Sequence, residues 1–61
     1  MYSVLVIDND GSFWKQDCMT EFDAIEYAEY LNNLHFRFIA VQDPNEREIL
    51  RFENKNEENE E

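Results

Sequence analysis

The chain opens with an apolar run, Tyr2 to Ile7 (YSVLVI), whose β-branched residues favour a strand. Asp8-Asn9-Asp10-Gly11 interrupts it with turn-forming residues, and Phe13 to Cys18 (FWKQDC) can return as the second strand of a hairpin. From Thr20 the period changes. At 100° per residue Ala24, Tyr27, Ala28, Leu31 and Leu34 fall on one side, which predicts an amphipathic helix running to about Leu34. Thr20 suits its N-cap, with the hydroxyl accepting from the backbone N–H of residue 23, and Glu21 and Asp23 put negative charge at the positive end of the helix dipole. Phe36 to Gln42 (FRFIAVQ) reads as a third strand, Asp43-Pro44-Asn45-Glu46 as a type I turn, and Arg47 to Phe52 (REILRF) as a fourth strand. The predicted fold is α+β, ordered ββαββ, with one amphipathic helix packed on a small, mainly antiparallel four-stranded sheet. Residues 1–52 make a single domain whose two hairpins share a layout without shared residues, and 53–61 (ENKNEENEE) read as a disordered acidic tail.

This pattern leaves a surplus of apolar positions. One helix covers one face of a sheet, yet Val4-Leu5-Val6-Ile7 is apolar at consecutive positions, and Phe36, Phe38 and Ala40 point opposite to Ile39 and Val41. Phe13 or Trp14 and Leu50 or Phe52 add to the uncovered face, and an exposed apolar patch of this kind marks a binding or dimer surface. A chain of 61 residues buries only about 60% of its unfolded surface. Its single cysteine, Cys18, closes no internal disulfide, and no cluster of Cys and His offers a structural zinc site. A homodimer formed through the open sheet face is the expected source of further stability.

Charge changes the picture more. Fifteen acids against five bases give a net charge of −10, which repels anionic membranes and nucleic acid alike. With 43% hydrophobic residues and nine aromatics (five Phe, three Tyr, one Trp) the chain nevertheless has the composition of a folded protein. The tail accounts for −4 (five Glu, one Lys), so residues 1–52 keep −6. Asp8, Asp10, Asp17, Glu21, Asp23, Glu26 and Glu29 lie within 22 residues that hold one base, Lys15. On the helix projection Asp23, Glu26, Tyr30 and Asn33 lie opposite the apolar side, with Glu29 and Phe22 along one flank. Asp23, Glu26 and Glu29 recur every third residue without a basic partner, at a repulsive cost of about 0.2–0.5 kcal/mol per pair. Their axial step of about 4.5 Å approaches the ~3.4 Å between charges on one strand of duplex DNA. These seven acids, with Phe22 and Tyr30 and also Trp14 as aromatic anchors, form the expected partner-binding set.

Catalysis has little to work with. There is one His, one Cys and one Gly, so no phosphate-binding loop, and no spacing brings Cys18, His35 and a carboxylate together. His35 reads as a helix-end residue. Asp8-Asn9-Asp10-Gly11 lacks the third ligand position and the bidentate Glu of a calcium loop. No catalytic residue, metal or cofactor is expected. No stretch has the length and apolarity of a membrane span, and MYSVLVID lacks the basic leader of a signal peptide, so a cytoplasmic protein with Cys18 reduced is expected.

The apolar strand, the DNDG turn, the aromatic return FWKQD, the acidic helix EFDAIEYAEY and the following apolar strand resemble, in size, charge and order, the small acidic phage-encoded inhibitors that mimic DNA. That group includes the uracil-DNA glycosylase inhibitors and an inhibitor of the nucleoid protein HU. The resemblance spans roughly residues 3 to 42. It implies a phage protein without chemistry of its own, acting in the host cytoplasm, that occupies the basic DNA-binding surface of a host protein. The alternative from the apolar surplus is an adaptor or regulator that uses its sheet face to bind a protein outside DNA metabolism, such as a polymerase subunit, a protease or a division protein.

Overall fold

The structure, a computed structural model, describes residues 1–54. The elements run β1 (Tyr2–Ile7), β2 (Phe13–Cys18), α1 (Glu21–Asn33), β3 (Phe38–Gln42) and β4 (Glu48–Glu53), the ββαββ order that the pattern predicts. The four strands form one antiparallel sheet in the order β2-β1-β3-β4, with α1 across one face. The N-terminal strand is therefore central, with β2 and β3 on its two edges; Val4 and Val6 of its apolar run are buried under α1, while Leu5 and Ile7 lie half-buried on the open face.

Register decides which residues meet the helix. Val4 pairs with Gln16 and Val41, and Val6 with Trp14 and Ile39. Side chains alternate along a strand, so Val4, Val6, Ile39 and Val41 share the covered face, where they pack against Ala24, Ala28 and Leu31. All four strand residues are fully buried, each stabilising the fold by about 1.5–3 kcal/mol relative to exposure. The alanines at 24 and 28 present small side chains where α1 meets the sheet.

Several expectations need correction. Leu34 is the C-cap of α1 and is exposed, so it lies outside the helix's buried side. Phe36 precedes β3 and packs against the covered core instead of the open face, as do Trp14, Leu50 and Phe52. Arg47 belongs to the turn before β4. The domain also extends past residue 52: β4 reaches Glu53, and the Asn54 backbone N–H donates to Arg37 O at 2.9 Å. The Asn54 side-chain amide donates to Asn32 Oδ1 (3.0 Å) and Phe36 O (2.7 Å), tying the end of β4 to the link between α1 and β3. The rest of the expected tail, from 55 onward, lies outside the described residues.

The two hairpins are built alike. In the first, Gly11 N–H donates to Asp8 O (3.0 Å) and Asp8 N–H to Ser12 O (2.9 Å); in the second, Glu46 N–H donates to Asp43 O (2.8 Å) and Asp43 N–H to Arg47 O (2.9 Å). Each leading aspartate also accepts two loop N–H groups at Oδ1: Asp8 from Asp10 and Ser12, Asp43 from Asn45 and Arg47. The hairpins therefore do share a residue, an aspartate that organises its own turn. They differ at the left-handed position, where Gly11 has φ 94° and Glu46 has φ 67°.

Candidate partner-binding surface

Of the nine predicted partner-binding residues, the fold gathers six on α1. Thr20 caps the helix as predicted, with Oγ1 accepting from the Asp23 N–H at 3.1 Å, and this places Glu21 and Asp23 in the first turn. Glu21, Phe22, Asp23, Glu26, Glu29 and Tyr30 are all exposed, while Ala24, Ala28 and Leu31 turn inward. Phe22 and Tyr30 are 67% and 59% exposed, so two aromatic rings accompany the acids on the solvent side.

The other three acids lie elsewhere. Asp8 and Asp10 occupy the β1–β2 turn, with their carboxylates directed to their own loop: Asp10 Oδ1 accepts from the Ser12 N–H at 2.9 Å. Contact with the Asp8 carboxyl, then with the hydroxyl and amide of Ser12, holds the Asp10 carboxyl down at about 2. Asp17 pairs with Ser3 on the open face of β2, where its Oδ1 accepts from the Ser3 hydroxyl at 3.3 Å. An acid row continuous from the first turn to the helix is not what the topology builds.

The acids of α1 form no ion pair among the described residues. No Lys or Arg occurs between Lys15 and Arg37. Among the described residues the ion pairs are those of Arg51, which lies on the open face of β4: Nη2 to Glu48 Oε1 at 2.8 Å and Nη1 to Glu53 Oε2 at 2.6 Å. Its Nε donates to Glu48 Oε2 at 2.9 Å, and its guanidinium carbon stands 5.4 Å from the Phe38 ring centroid. These hydrogen bonds and charges push the Arg51 pKa up and, beginning with the Arg51 hydrogen bonds, lower that of Glu48.

The open face is apolar in one part and finished in another. Ile7, Phe13 and Phe38 form a cross-strand row, and Leu5 and Ala40 lie one row away between Lys15 and Arg51. Phe13 is 64% exposed, whereas Ala40 is buried and Phe38 is half-covered beneath Arg51.

The residues considered for chemistry stay apart. Cys18 precedes α1 and His35 follows it, at opposite ends of a helix of 13 residues about 18 Å long. Burial first, then the charges of Asp23 and Asp17, push the Cys18 thiol up, opposite to the shift that activates a nucleophilic cysteine. His35 ends the helix at φ 65°, its N–H donating to Asn32 O at 2.9 Å. Among the described residues no three of His, Cys, Asp and Glu converge as metal ligands, and no helix is long and apolar enough to cross a membrane.

Sequence reasoning missed two features. One is the Glu48–Arg51–Glu53 clamp over Phe38. The other is the ring row behind Tyr30, in which Tyr27 stacks on Tyr30 and Trp14 meets Tyr27 and Phe36 edge-on. The three-residue spacing of Tyr27 and Tyr30 on a helix was the available signal for the second. No family model matches the chain, and no match was found among curated proteins or solved structures.

Proposed function

We propose that this protein is a non-enzymatic acidic inhibitor, of the kind phages encode, that acts in the host cytoplasm by presenting DNA-like charge to the basic DNA-binding surface of a host protein. The nucleoid protein HU and uracil-DNA glycosylase are the target types that the resemblance brings forward. One observation supports the reading: the carboxylates of Glu21, Asp23, Glu26 and Glu29 all stand exposed on one helix, without a cationic partner among the described residues, while Arg51 is taken up on the opposite side of the sheet. A rigid helix holds these charges in place, so a surface that binds phosphates through Lys and Arg would gain the same contacts here. Phe22 and Tyr30 supply contact area that phosphates lack.

The test is competition between the protein and duplex DNA for purified HU and for purified uracil-DNA glycosylase, measured over a range of salt. The D23N/E26Q/E29Q variant should compete less well, with a shallower salt dependence. Equal competition by variant and parent would overturn the reading.

Exposed Phe13, beside Ile7 and Leu5, supports a second reading, in which the open sheet face takes a second copy of the chain or a regulatory partner unconnected with DNA. Complexes formed that way should survive salt that releases the charge-driven ones, and a Phe13→Ser change should weaken them.

A further inference from the structure

Although Tyr30 is exposed, its ring is held in place. It stacks on Tyr27 with centroids 6.4 Å apart and planes at 24°. Tyr27 meets Trp14 edge-on at 6.4 Å and 65°, and Trp14 meets Phe36 at 6.1 Å and 84°. Tyr27, Trp14 and Phe36 all pack against the buried core. The four rings therefore run in a row from the core to the outer side of α1, and Tyr30 ends the row nearly parallel to Tyr27 and largely exposed to solvent. A ring fixed in this way loses little rotamer freedom when a partner docks. Glu26, four residues earlier, lies one helical turn away on the same side.

The open sheet face shows the same parts already assembled. There the Arg51 guanidinium lies over the Phe38 ring while Glu48 and Glu53 accept its N–H groups. The outer side of α1 has a ring and carboxylates and, among the described residues, no guanidinium against them.

We propose that Tyr30 and Glu26 receive an arginine side chain of the partner, its guanidinium plane on the open face of the Tyr30 ring and its N–H groups donating to the Glu26 carboxylate. This rests on the reading of the helix as a surface for a cationic partner and adds which cation it selects. A tyrosine face attracts either basic side chain, but the planar guanidinium can stack and still direct a fork of donors at a carboxylate, whereas an ammonium is a compact, strongly hydrated point charge.

The test is an NMR titration of the full chain with two blocked pentapeptides of alternating glycine and basic residues, one with two arginines and one with two lysines. The arginine peptide should bind about two- to fivefold more tightly, the range of a cation–π contact at an exposed ring. Its δ-methylene protons should shift upfield in the ring current of Tyr30. Tyr30→Leu, which keeps an apolar side chain at this exposed position, should bring the arginine affinity down to that of lysine, and Glu26→Gln should weaken both. Equal affinities in the parent protein, a preference that persists in Tyr30→Leu, or no binding of either peptide would overturn the arginine receptor. Each of these is separable from failure of the broader reading, which is decided by whether D23N/E26Q/E29Q still competes with DNA for its target.

Discussion

On the open face of the sheet, ring, guanidinium and carboxylates close on one another; on the outer side of α1, rings and carboxylates stand without a cation among the described residues. The difference lies in where the chain places its bases. Arg51 sits two residues from Glu53 and three from Glu48, on a strand whose neighbour presents Phe38, so its charge is satisfied within the fold. The helix has no base at all, and beyond the first turn, where Glu21 and Asp23 favour the dipole, its acids repel one another. Exposed ion pairs add little to stability, so the lesson concerns availability more than strength. Charge already satisfied inside the molecule has little to offer a partner, and unsatisfied charge has much.

If the open face is a finished surface, the largest contrast should appear between neighbours in β3. Ile39 is fully buried beneath α1, and its replacement by Ala should cost about 2–5 kcal/mol. That is enough to unfold a domain of this size, whose net stability is only about 3–5 kcal/mol once chain entropy is subtracted. Phe38→Ala, on the other face, should cost about 1–2 kcal/mol, because the ring is only half-buried and lies outside the core under α1. Urea unfolding followed by the fluorescence of Trp14 measures both. Equal costs would mean that the open face is a second core, completed in solution by another copy of the chain.

Next in size is a contrast of sign. Glu26 faces Asp23 and Glu29, each three residues away, so Glu26→Gln should raise stability by about 0.4–1 kcal/mol by removing two repulsions of ~0.2–0.5 kcal/mol each. Glu53→Gln removes a partner of Arg51 and should lower stability. The same unfolding experiment decides both, and added salt should shrink the gain from Glu26→Gln. A loss of stability in Glu26→Gln would show that the helix acids are satisfied after all.

The elements were legible where the hydrophobic period switches, from an apolar run to a helical side and back. The N-cap at Thr20 followed from residue type alone. Strand order was not legible, since it depends on pairing across the sheet, although the two-sided apolar run of Val4 to Ile7 fits a central strand once the order is known. The second turn could be read from Asp43-Pro44, but its left-handed residue could not: Gly11 marks that position in one hairpin, whereas Glu46 occupies it in the other against its own steric preference. For the site, projection at 100° per residue separated the exposed acids of α1 from its buried alanines. It was silent on Asp8, whose short side chain folds back on its own loop, and on Trp14 against Phe13, which only the pairing of Trp14 with Val6 assigns to a face. The Arg51 clamp was hidden for a similar reason, because three residues along a strand with a register shift bring side chains together in ways that helix spacing does not describe.

The smallest expected effect concerns acid. Glu48 titrates below the ordinary 4.5 of its type because Arg51 donates two hydrogen bonds to it, at 2.9 and 2.8 Å. A carboxyl with a depressed folded-state pKa contributes stability that is present above its unfolded value and is lost as the pH falls through the folded value. The Glu48–Arg51 contact should therefore persist through pH 4.5 and open only as the pH falls through the depressed folded value of Glu48, loosening Arg51 over Phe38. Carboxyl-carbon NMR resolves the titration of Glu48 directly, and Arg51→Ala should move it upward into the ordinary range. If Glu48 titrates alike in both proteins, the guanidinium does not rest between ring and carboxylates in solution. The molecule would then lose its internal precedent for an arginine on Tyr30, and that site would stand on the peptide titration alone.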